Sequence, residues 1–302
     1  MTPRSERPFA RFGVLAALAV VLAAPAASAQ DGTVSAGVMV RAVSGTFGSD
    51  SRSRVVYAPA ILRVDAGRLE LSGYFPYLTI DDGTVALSQG GFVPMQGSLT
   101  GSPNAGMSMS GHSGGVMGGT SPVPGAPNPP NLAAVSQSGL GDIVGSIGYR
   151  IVDRPASGLQ IAVTGRFKLP TASASRGLGT GRTDAGVSAA VRRQLDAGWI
   201  YAETGYVRIG DPTGADLRNI VLWSVGGGRR LTQRVFLLGS AFGNTAILPE
   251  FGAPAEVGAG FGFRVAEHLN LTVLPSAGLS RASPSYAIAV GLSTRVWRRE
   301  KL

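Results

Sequence analysis

Few residues in this 302-residue chain could carry out covalent or metal chemistry. Cysteine is absent, which excludes disulfides, thiolate metal sites and cysteine nucleophiles, and the only histidines are His112 and His268. Soft thioethers beside one imidazole could bind Cu(I), and the chain offers one weak candidate set for such a site: Met107, Met109, His112 and Met117. The alternative is that these methionines only fill a flexible loop, and we predict no metal or other cofactor.

Carboxylates are the other group that could do acid–base work, and four of them fall where two neighbouring side chains could pair: Asp142, Asp184, Glu203 and Glu256. The alternative is that they brace the structure against basic residues. Hydrolases of the Ser-His or Asp-His type need a positioned histidine. Because His112 lies in a low-complexity segment and His268 in a predicted turn, we expect no enzyme.

The first thirty residues have the pattern of a secretory signal peptide. Three arginines, the last of them Arg11, precede an apolar stretch from Gly13 to Ala27, and the small-residue sequence Ala27-Ser28-Ala29 ends the segment. An uncleaved membrane helix is the alternative, but the stretch is shorter than the roughly 18 residues that a spanning helix needs. We expect cleavage after Ala29 and a mature chain over residues 30–302.

The composition of the full chain excludes several classes of protein. Glycine accounts for 44 residues, charged residues for 15% and hydrophobic residues for 44%, which is too apolar for a disordered chain and too poor in charge for a helical bundle or coiled coil. No later segment is apolar for long enough to predict a spanning helix. An exported, apolar chain can still lie in a membrane as a closed β-barrel, in which all backbone hydrogen bonds form between strands.

Alternation with a period of two supports that class. In residues 253–265, Val257, Phe261 and Phe263 share one face, while Glu256 and Arg264 share the other face with glycines. The same alternation occurs in residues 141–152, 158–169 and 285–297. A helix would scatter these charges around its circumference.

Weaker alternation fills the remainder of the chain, at residues 33–43, 54–64, 68–80, 182–194, 199–209, 219–229, 235–245 and 268–280. The connectors between these segments are alternately short and long, as in an even-numbered barrel with both termini in the periplasm. We therefore predict an all-β, transmembrane, up-and-down antiparallel barrel of about 12 strands.

A soluble β-sandwich or lipocalin-like barrel is the alternative, since exported all-β domains also alternate. Their outer face is dense with charge, whereas the polar face here is rich in Gly, Ser and Ala. Aromatic residues near the predicted strand ends also favour a membrane barrel with two interfacial girdles. One girdle would contain Tyr74, Phe75 and Tyr77, and the other Tyr149, Trp199, Tyr201 and Trp297.

One connector, residues 81–138, is far longer than ordinary loops. Its central part, residues 97–131, is a low-complexity run of Gly, Ser, Met, Asn and Pro, which predicts flexible coil. We expect one long outer loop that either lies over the pore mouth or extends into solvent.

The predicted inward faces carry more basic than acidic residues. Rings of Arg and Lys favour anions in a narrow pore, so a conducting lumen would prefer negatively charged or electron-rich small solutes. Asp142 is expected to pair with Arg166 or Arg182. The alternative is a braced and plugged barrel, because twelve strands do not by themselves decide between an open and a filled lumen. The predicted lumen-lining charges are Asp142, Arg150, Arg166, Lys168, Arg182, Asp184, Arg192, Glu203, Arg208, Glu256, Arg264 and Arg295.

Several short motifs give the chain a family resemblance. They are Gly139-Leu140-Gly141-Asp142, Phe167-Lys168-Leu169-Pro170-Thr171, a loop with Gly179 and Gly181, and Asp184-Ala185-Gly186. Together they resemble a family of bacterial outer-membrane proteins known as transporters of the meta-pathway of phenol degradation. The resemblance is clearest over residues 139–211. It implies a Gram-negative outer-membrane barrel that passes small, often aromatic or hydrophobic, compounds.

The sequence therefore predicts an exported outer-membrane channel for passive passage of small solutes. Expected partners are outer-membrane lipid, the barrel assembly machinery and a small-molecule solute, with no nucleic acid despite a calculated pI of about 10.6. The chain departs from many barrels in running past Trp297 into a charged tail instead of ending on an aromatic residue. A non-conducting structural or adhesive barrel and a barrel enzyme are the competing hypotheses.

Overall fold

Thirteen antiparallel strands make up the regular structure of the computed structural model, which describes residues 32–47, 52–81, 137–174, 178–211, 217–247 and 252–298. The strands are β1 (Gly32–Gly45), β2 (Ser53–Ala66), β3 (Leu69–Asp81), β4 (Gln137–Leu140), β5 (Ile143–Arg154), β6 (Leu159–Leu169), β7 (Asp184–Leu195), β8 (Gly198–Arg208), β9 (Ile220–Arg230), β10 (Val235–Asn244), β11 (Ala255–Arg264), β12 (Leu269–Gly278) and β13 (Tyr286–Arg298). Within these ranges, no helix has the length and apolarity to span a membrane.

The sheet closes on itself. Apart from β4 and β5, each strand pairs with the strand that precedes it and the strand that follows it, and β1 completes the ring by pairing with β13. The short strand β4 and the longer β5 both pair with β3 and are separated only by Gly141-Asp142, so they occupy one position in the ring. The result is a closed, twelve-stranded, up-and-down antiparallel barrel, which confirms the predicted fold class and strand number.

The connectors separate the two ends of the barrel. Short turns at residues 67–68, 155–158, 196–197, 231–234 and 265–268 meet at one end, which we call the short-turn rim. Two of these turns use a left-handed glycine, Gly67 with φ of 58° and Gly158 with φ of 65°, a conformation that other residues rarely adopt. The longer connectors join strands at the opposite end, the long-loop rim. This alternation is the one that the sequence predicted.

Burial is inverted relative to a soluble protein. Charged side chains such as Arg166, Lys168 and Glu203 are buried inside the barrel, whereas large apolar side chains on the other face of the same strands are exposed. A soluble β-sandwich would place those apolar residues in its core. The exposed set includes Val38, Val40, Ile147, Val187, Val225, Val257, Phe261, Ile288, Val290 and Leu292.

The predicted aromatic girdles are only partly correct. Tyr74 and Trp199 are buried inside the barrel, and Tyr201 is half-buried there, because each shares its strand face with lumen charges. Phe75, Tyr77 and Tyr149 are exposed on the outer surface as predicted. Trp297 of the second girdle is also exposed, although strict alternation in residues 285–297 would place it on the same face as Arg295. A β-bulge in the β1–β13 pairing pairs Ser35 with Arg295 and Val34 with Trp297, so Trp297 is exposed instead.

Candidate functional site

The lumen is the candidate site, and its most buried charges lie near the long-loop rim. Lys168 on β6 is fully buried, with its Nζ atom 2.6 Å from Asp184 Oδ2 on β7 and 3.6 Å from Asp142 Oδ2 ahead of β5. Lys168 also donates a hydrogen bond of 2.9 Å to Thr180 Oγ1. One ammonium group thus connects three neighbouring segments of the barrel wall, and the Lys168 cluster consists of Asp142, Lys168, Thr180 and Asp184.

Asp142 was expected to pair with Arg166 or Arg182, but its ion-pair partner is Lys168. Register places Val144 opposite Lys168 and Ser146 opposite Arg166, so Arg166 lies one lumen position deeper than Lys168. Asp142, just before β5, therefore lies near Lys168. Arg182 precedes β7 in a connector and is exposed, so the prediction that it lines the lumen was wrong.

A second buried ion pair joins Arg166 on β6 to Glu203 on β8, across the intervening strand β7. Between them β7 presents the small residues Gly186, Ser188 and Ala190 to the lumen. Small side chains at these positions leave the space through which the two charged side chains meet.

Arg208 was predicted to share the lumen face with Glu203, and this was wrong. The two residues are five positions apart on one regular strand, and alternation with a period of two sends such residues to opposite faces. Arg208 is exposed and lies opposite the exposed Ala185 of β7.

The remaining predicted lumen charges face inward. Arg150 and Arg192 are buried, and Arg264 and Arg295 are half-buried towards the short-turn rim. The Arg192 guanidinium lies over the Trp199 ring, 5.5 Å from its centroid, in cation–π contact. Glu256 is buried on β11.

Two ion pairs that involve β1, β2 or β3 were not predicted from the sequence. Arg63 Nη2 lies 2.9 Å from Glu70 Oε1 across the β2–β3 hairpin, and Arg41 on β1 pairs with Glu256 on β11. The alternation of β2 and β3 with their two-residue turn could have revealed the first pair. The second joins strands that are three positions apart in the ring, so no local pattern could have revealed it.

These pairings change the electrostatic picture of the lumen. Each of the buried bases Arg41, Arg63, Arg166 and Lys168 has a carboxylate partner. Opposite charges within ion-pair distance cancel most of each other's field. The lumen of the described barrel therefore presents less uncompensated positive charge than the sequence count suggested.

The other side of the lumen is apolar. A cluster of apolar, lumen-facing side chains extends around the wall from β8 through β10, β12 and β13 to β1 and β2. Its buried members are Met39, Trp199, Leu238, Leu274 and Ala289, and the partly buried side chains packed against them are Tyr57, Ile61, Tyr201 and Phe236. Trp199 and Tyr201 lie against Gly228 and Gly226 of β9, where any Cβ atom would collide with their rings. We call this set the apolar arc and the region of β5, β6 and β7 the charged arc.

Connector residues close over the lumen at the long-loop rim. Phe47, which follows β1 with φ of 50°, and Leu178, from the connector between β6 and β7, are both fully buried. They pack together with lumen-facing side chains of β1, β2, β3 and β13, namely Val43, Val55, Leu78, Ile80 and Ala287. We call Phe47 and Leu178 the mouth residues.

The same connector is held by the Lys168 cluster. The backbone N–H of Ala172 donates to Asp142 Oδ1 over 2.9 Å, and Thr180 accepts from Lys168. Gly179 lies so close to the Asp142 carboxylate that a Cβ atom there would be 2.7 Å from Oδ2. The glycine motif noted in the sequence thus serves to dock this connector on buried charge and to place Leu178 in the mouth.

Two predictions fall outside the described residues. They are the expected signal peptide, within residues 1–31, and the candidate metal site of Met107, Met109, His112 and Met117. Within the described ranges, no group of three or more His, Asp or Glu side chains could hold a metal ion. His268 lies in the β11–β12 turn, and more than half of its side chain is exposed.

Comparison with known proteins gives similarity at the level of architecture. No family model matches the chain, and a search of curated proteins finds no match, so the family resemblance stays a prediction. Among solved structures, the NanC porin is similar with a TM-score of 0.49 at 7% identity, over 86% of this chain and 100% of that one. The monoaromatic hydrocarbon channel CymD has a TM-score of 0.46 at 10% identity, over 89% and 90%. The toluene transporter TbuX of Ralstonia pickettii has 0.44 at 12%, over 92% and 93%.

Proposed function

We propose that the exported chain is an outer-membrane channel for passive passage of small solutes, with uncharged aromatic or hydrophobic compounds as its preferred class. The observation that carries the membrane location is the inverted burial of the closed barrel. Val38 is 52% exposed and Val290 39% exposed on the outer face, while Lys168 and Arg166 are buried inside. Lipid is the solvent that suits such an exterior, and a closed barrel leaves no unpaired strand edge within it.

The lumen supports the preferred solute class. Arg150, Arg166 and Lys168 of its charged arc each have a carboxylate partner, and its apolar arc offers Trp199, Tyr201 and Phe236 as flat, polarisable surfaces. An uncharged aromatic solute can contact these rings without leaving a buried charge unpaired, whereas an ion must lose hydration in a narrow lumen. The proposal therefore replaces the anion preference expected from the sequence with a preference for uncharged solutes.

A cell-fractionation experiment tests the location. The chain should partition with outer membranes and migrate on gels in a compact, heat-modifiable form that shifts after boiling, because a closed barrel resists detergent at low temperature. Recovery of the chain in the periplasmic extract would contradict the proposal.

Planar-bilayer recording and liposome swelling test the channel. We expect measurable conductance with weak ion selectivity, and faster entry of phenol than of a sugar of similar size. Strong anion selectivity would restore the prediction of a basic lumen and contradict the preference for uncharged solutes.

One observation favours a second candidate function, a non-conducting structural or adhesive barrel. The mouth residues Phe47 and Leu178 are fully buried, so the long-loop rim is filled at their position. If the heat-modifiable wild-type barrel does not conduct, and the Leu178→Ala variant does not conduct either, the result would select this function over the channel.

A further inference from the structure

A groove of about 650 Å³ interrupts the outer surface of the barrel beside the short-turn rim. It crosses β8, β9, β10 and β11, and most of the residues that line it face outward. Its walls include Leu195, Ile200 and Leu237, all of them exposed. Elsewhere the same outer surface carries large side chains, such as Val290 and Leu292 on β13.

The groove exists because three outward positions in one row carry almost no side chain. Gly227 of β9 pairs with Gly239 of β10, and Gly239 pairs with Ala259 of β11. Ile200 of β8 extends the row on one side. A Cβ atom added to Gly239 would have no atom within 4 Å, so this position opens into free space.

Arg229 lines the groove on its rim side, and Arg193 lies just outside the groove, next to the lining residue Ile200. Arg229 lies two residues beyond Gly227 on the same outward face of β9, and Arg193 lies opposite Ile200 on β7. Both side chains are exposed, and neither forms an ion pair or a side-chain hydrogen bond with any part of the chain that the structure describes. This contrasts with the paired bases of the lumen.

We infer that this groove is a binding site for one anionic phospholipid of the inner leaflet. An acyl chain would lie over Gly227, Gly239 and Ala259, and the phosphate would contact Arg229 and Arg193 at the level of the headgroups. Charge complementarity selects this occupant, because an apolar floor with two unpaired guanidinium groups at its membrane-surface end matches the two parts of such a lipid. Guanidinium groups also bind phosphate through two parallel hydrogen bonds.

Native mass spectrometry of the purified mature barrel, mixed with phosphatidylglycerol or phosphatidylcholine, tests this inference. The wild type should retain one phosphatidylglycerol in preference to phosphatidylcholine. Gly239→Leu should abolish that adduct, because the leucine fills the groove. Arg193→Gln with Arg229→Gln should remove the preference, at about fivefold for each arginine.

Matched controls separate the groove from the rest of the surface. Gly165→Leu makes the same change at an exposed outward glycine of β6 that has space for a side chain, and Arg154→Gln removes an exposed arginine elsewhere on the short-turn rim. Both controls should keep the phosphatidylglycerol adduct and its preference.

Two results would overturn the inference. One is equal phosphatidylglycerol binding by Gly239→Leu and wild type. The other is a dimeric wild type that Gly239→Leu converts to monomer, which would assign the groove to a second copy of the chain. The inference rests on the proposed membrane location. The heat-modifiability of every variant is therefore measured first, so that a failure to fold as a barrel is distinguished from a loss of lipid binding. A barrel that folds in the membrane without this lipid preference overturns the inference alone.

Discussion

The charged arc and the apolar arc fill one lumen by different means. Along β5, β6 and β7, Lys168 and Arg166 are buried against carboxylates from neighbouring and next-neighbouring strands. Along β8, β10 and β12, the aromatic and aliphatic side chains of Trp199, Leu238 and Leu274 form an apolar cluster instead of ion pairs. Removing one partner of a buried ion pair leaves an uncompensated charge, whereas trimming an apolar side chain leaves only a cavity. The charged arc should therefore tolerate single changes least.

The largest effect is expected in the Lys168 cluster. Lys168→Met leaves the carboxylates of Asp142 and Asp184 buried without their cation and should destabilise the barrel by about 3–5 kcal/mol. Loss of the heat-modifiable form at lower temperature or lower urea concentration measures it. Arg208→Met, which removes an exposed outward charge, is the control and should change stability little. Equal loss in both variants would contradict the difference between the arcs.

A slightly smaller effect is expected where charge is placed on the outer face. Val290→Arg puts a guanidinium near the middle of β13, where lipid contact should cost about 2–4 kcal/mol. The same substitution at the exposed Leu279, just beyond β12, should cost about 0–1 kcal/mol because lipid penalties fall towards the interface. Refolding into vesicles against urea provides the free energies. Equal costs would mean that water, not lipid, surrounds the barrel.

The mouth residues offer an intermediate effect with a second readout. Leu178→Ala should lower the free energy of unfolding by about 2 kcal/mol, because it leaves a cavity among Val43, Val55 and Ile80. It should also raise single-channel conductance by opening the long-loop rim. Leu169→Ala removes an exposed outward leucine and serves as the control, with unchanged conductance. A channel that conducts equally in both variants does not pass beside Leu178.

The smallest effect is expected in the apolar arc. Trp199→Phe keeps a ring against Gly228 but weakens the cation–π contact with Arg192, which should lower stability by about 1 kcal/mol. Entry of phenol into liposomes should slow relative to a sugar. If the sugar slows equally, the ring narrows the pore without selecting the solute.

The sequence alone was sufficient for the barrel and for most of its faces. Period-two alternation reports directly which side chains share a face, and the strands at residues 141–152, 158–169, 253–265 and 285–297 have the predicted positions. The same rule, applied strictly, places Arg208 and Glu203 on opposite faces because they are five positions apart, an odd number. The exposure of Trp297 required a bulge that alternation cannot reveal.

Apart from the Arg63–Glu70 pair of the β2–β3 hairpin, the pairings inside the lumen were beyond sequence reasoning. Which carboxylate meets Lys168 depends on the register between β5 and β6, and the contact between Arg41 and Glu256 depends on the curvature that brings separated strands together. Phe47 and Leu178 come from connectors that have no periodicity. Long-range geometry therefore decided which residues form the site, while local patterns decided which faces they occupy.

The absence of cysteine allows the most direct test of the central claim, that lipid touches the apolar face and solvent reaches the lumen. Val290→Cys and Ser276→Cys, on opposite faces of the wall, would each be labelled with a bimane fluorophore in the refolded barrel. We predict that brominated lipid quenches the label at position 290 and that aqueous iodide quenches the label at position 276. Quenching of the label at position 290 by iodide, with no effect of brominated lipid, would contradict a membrane barrel.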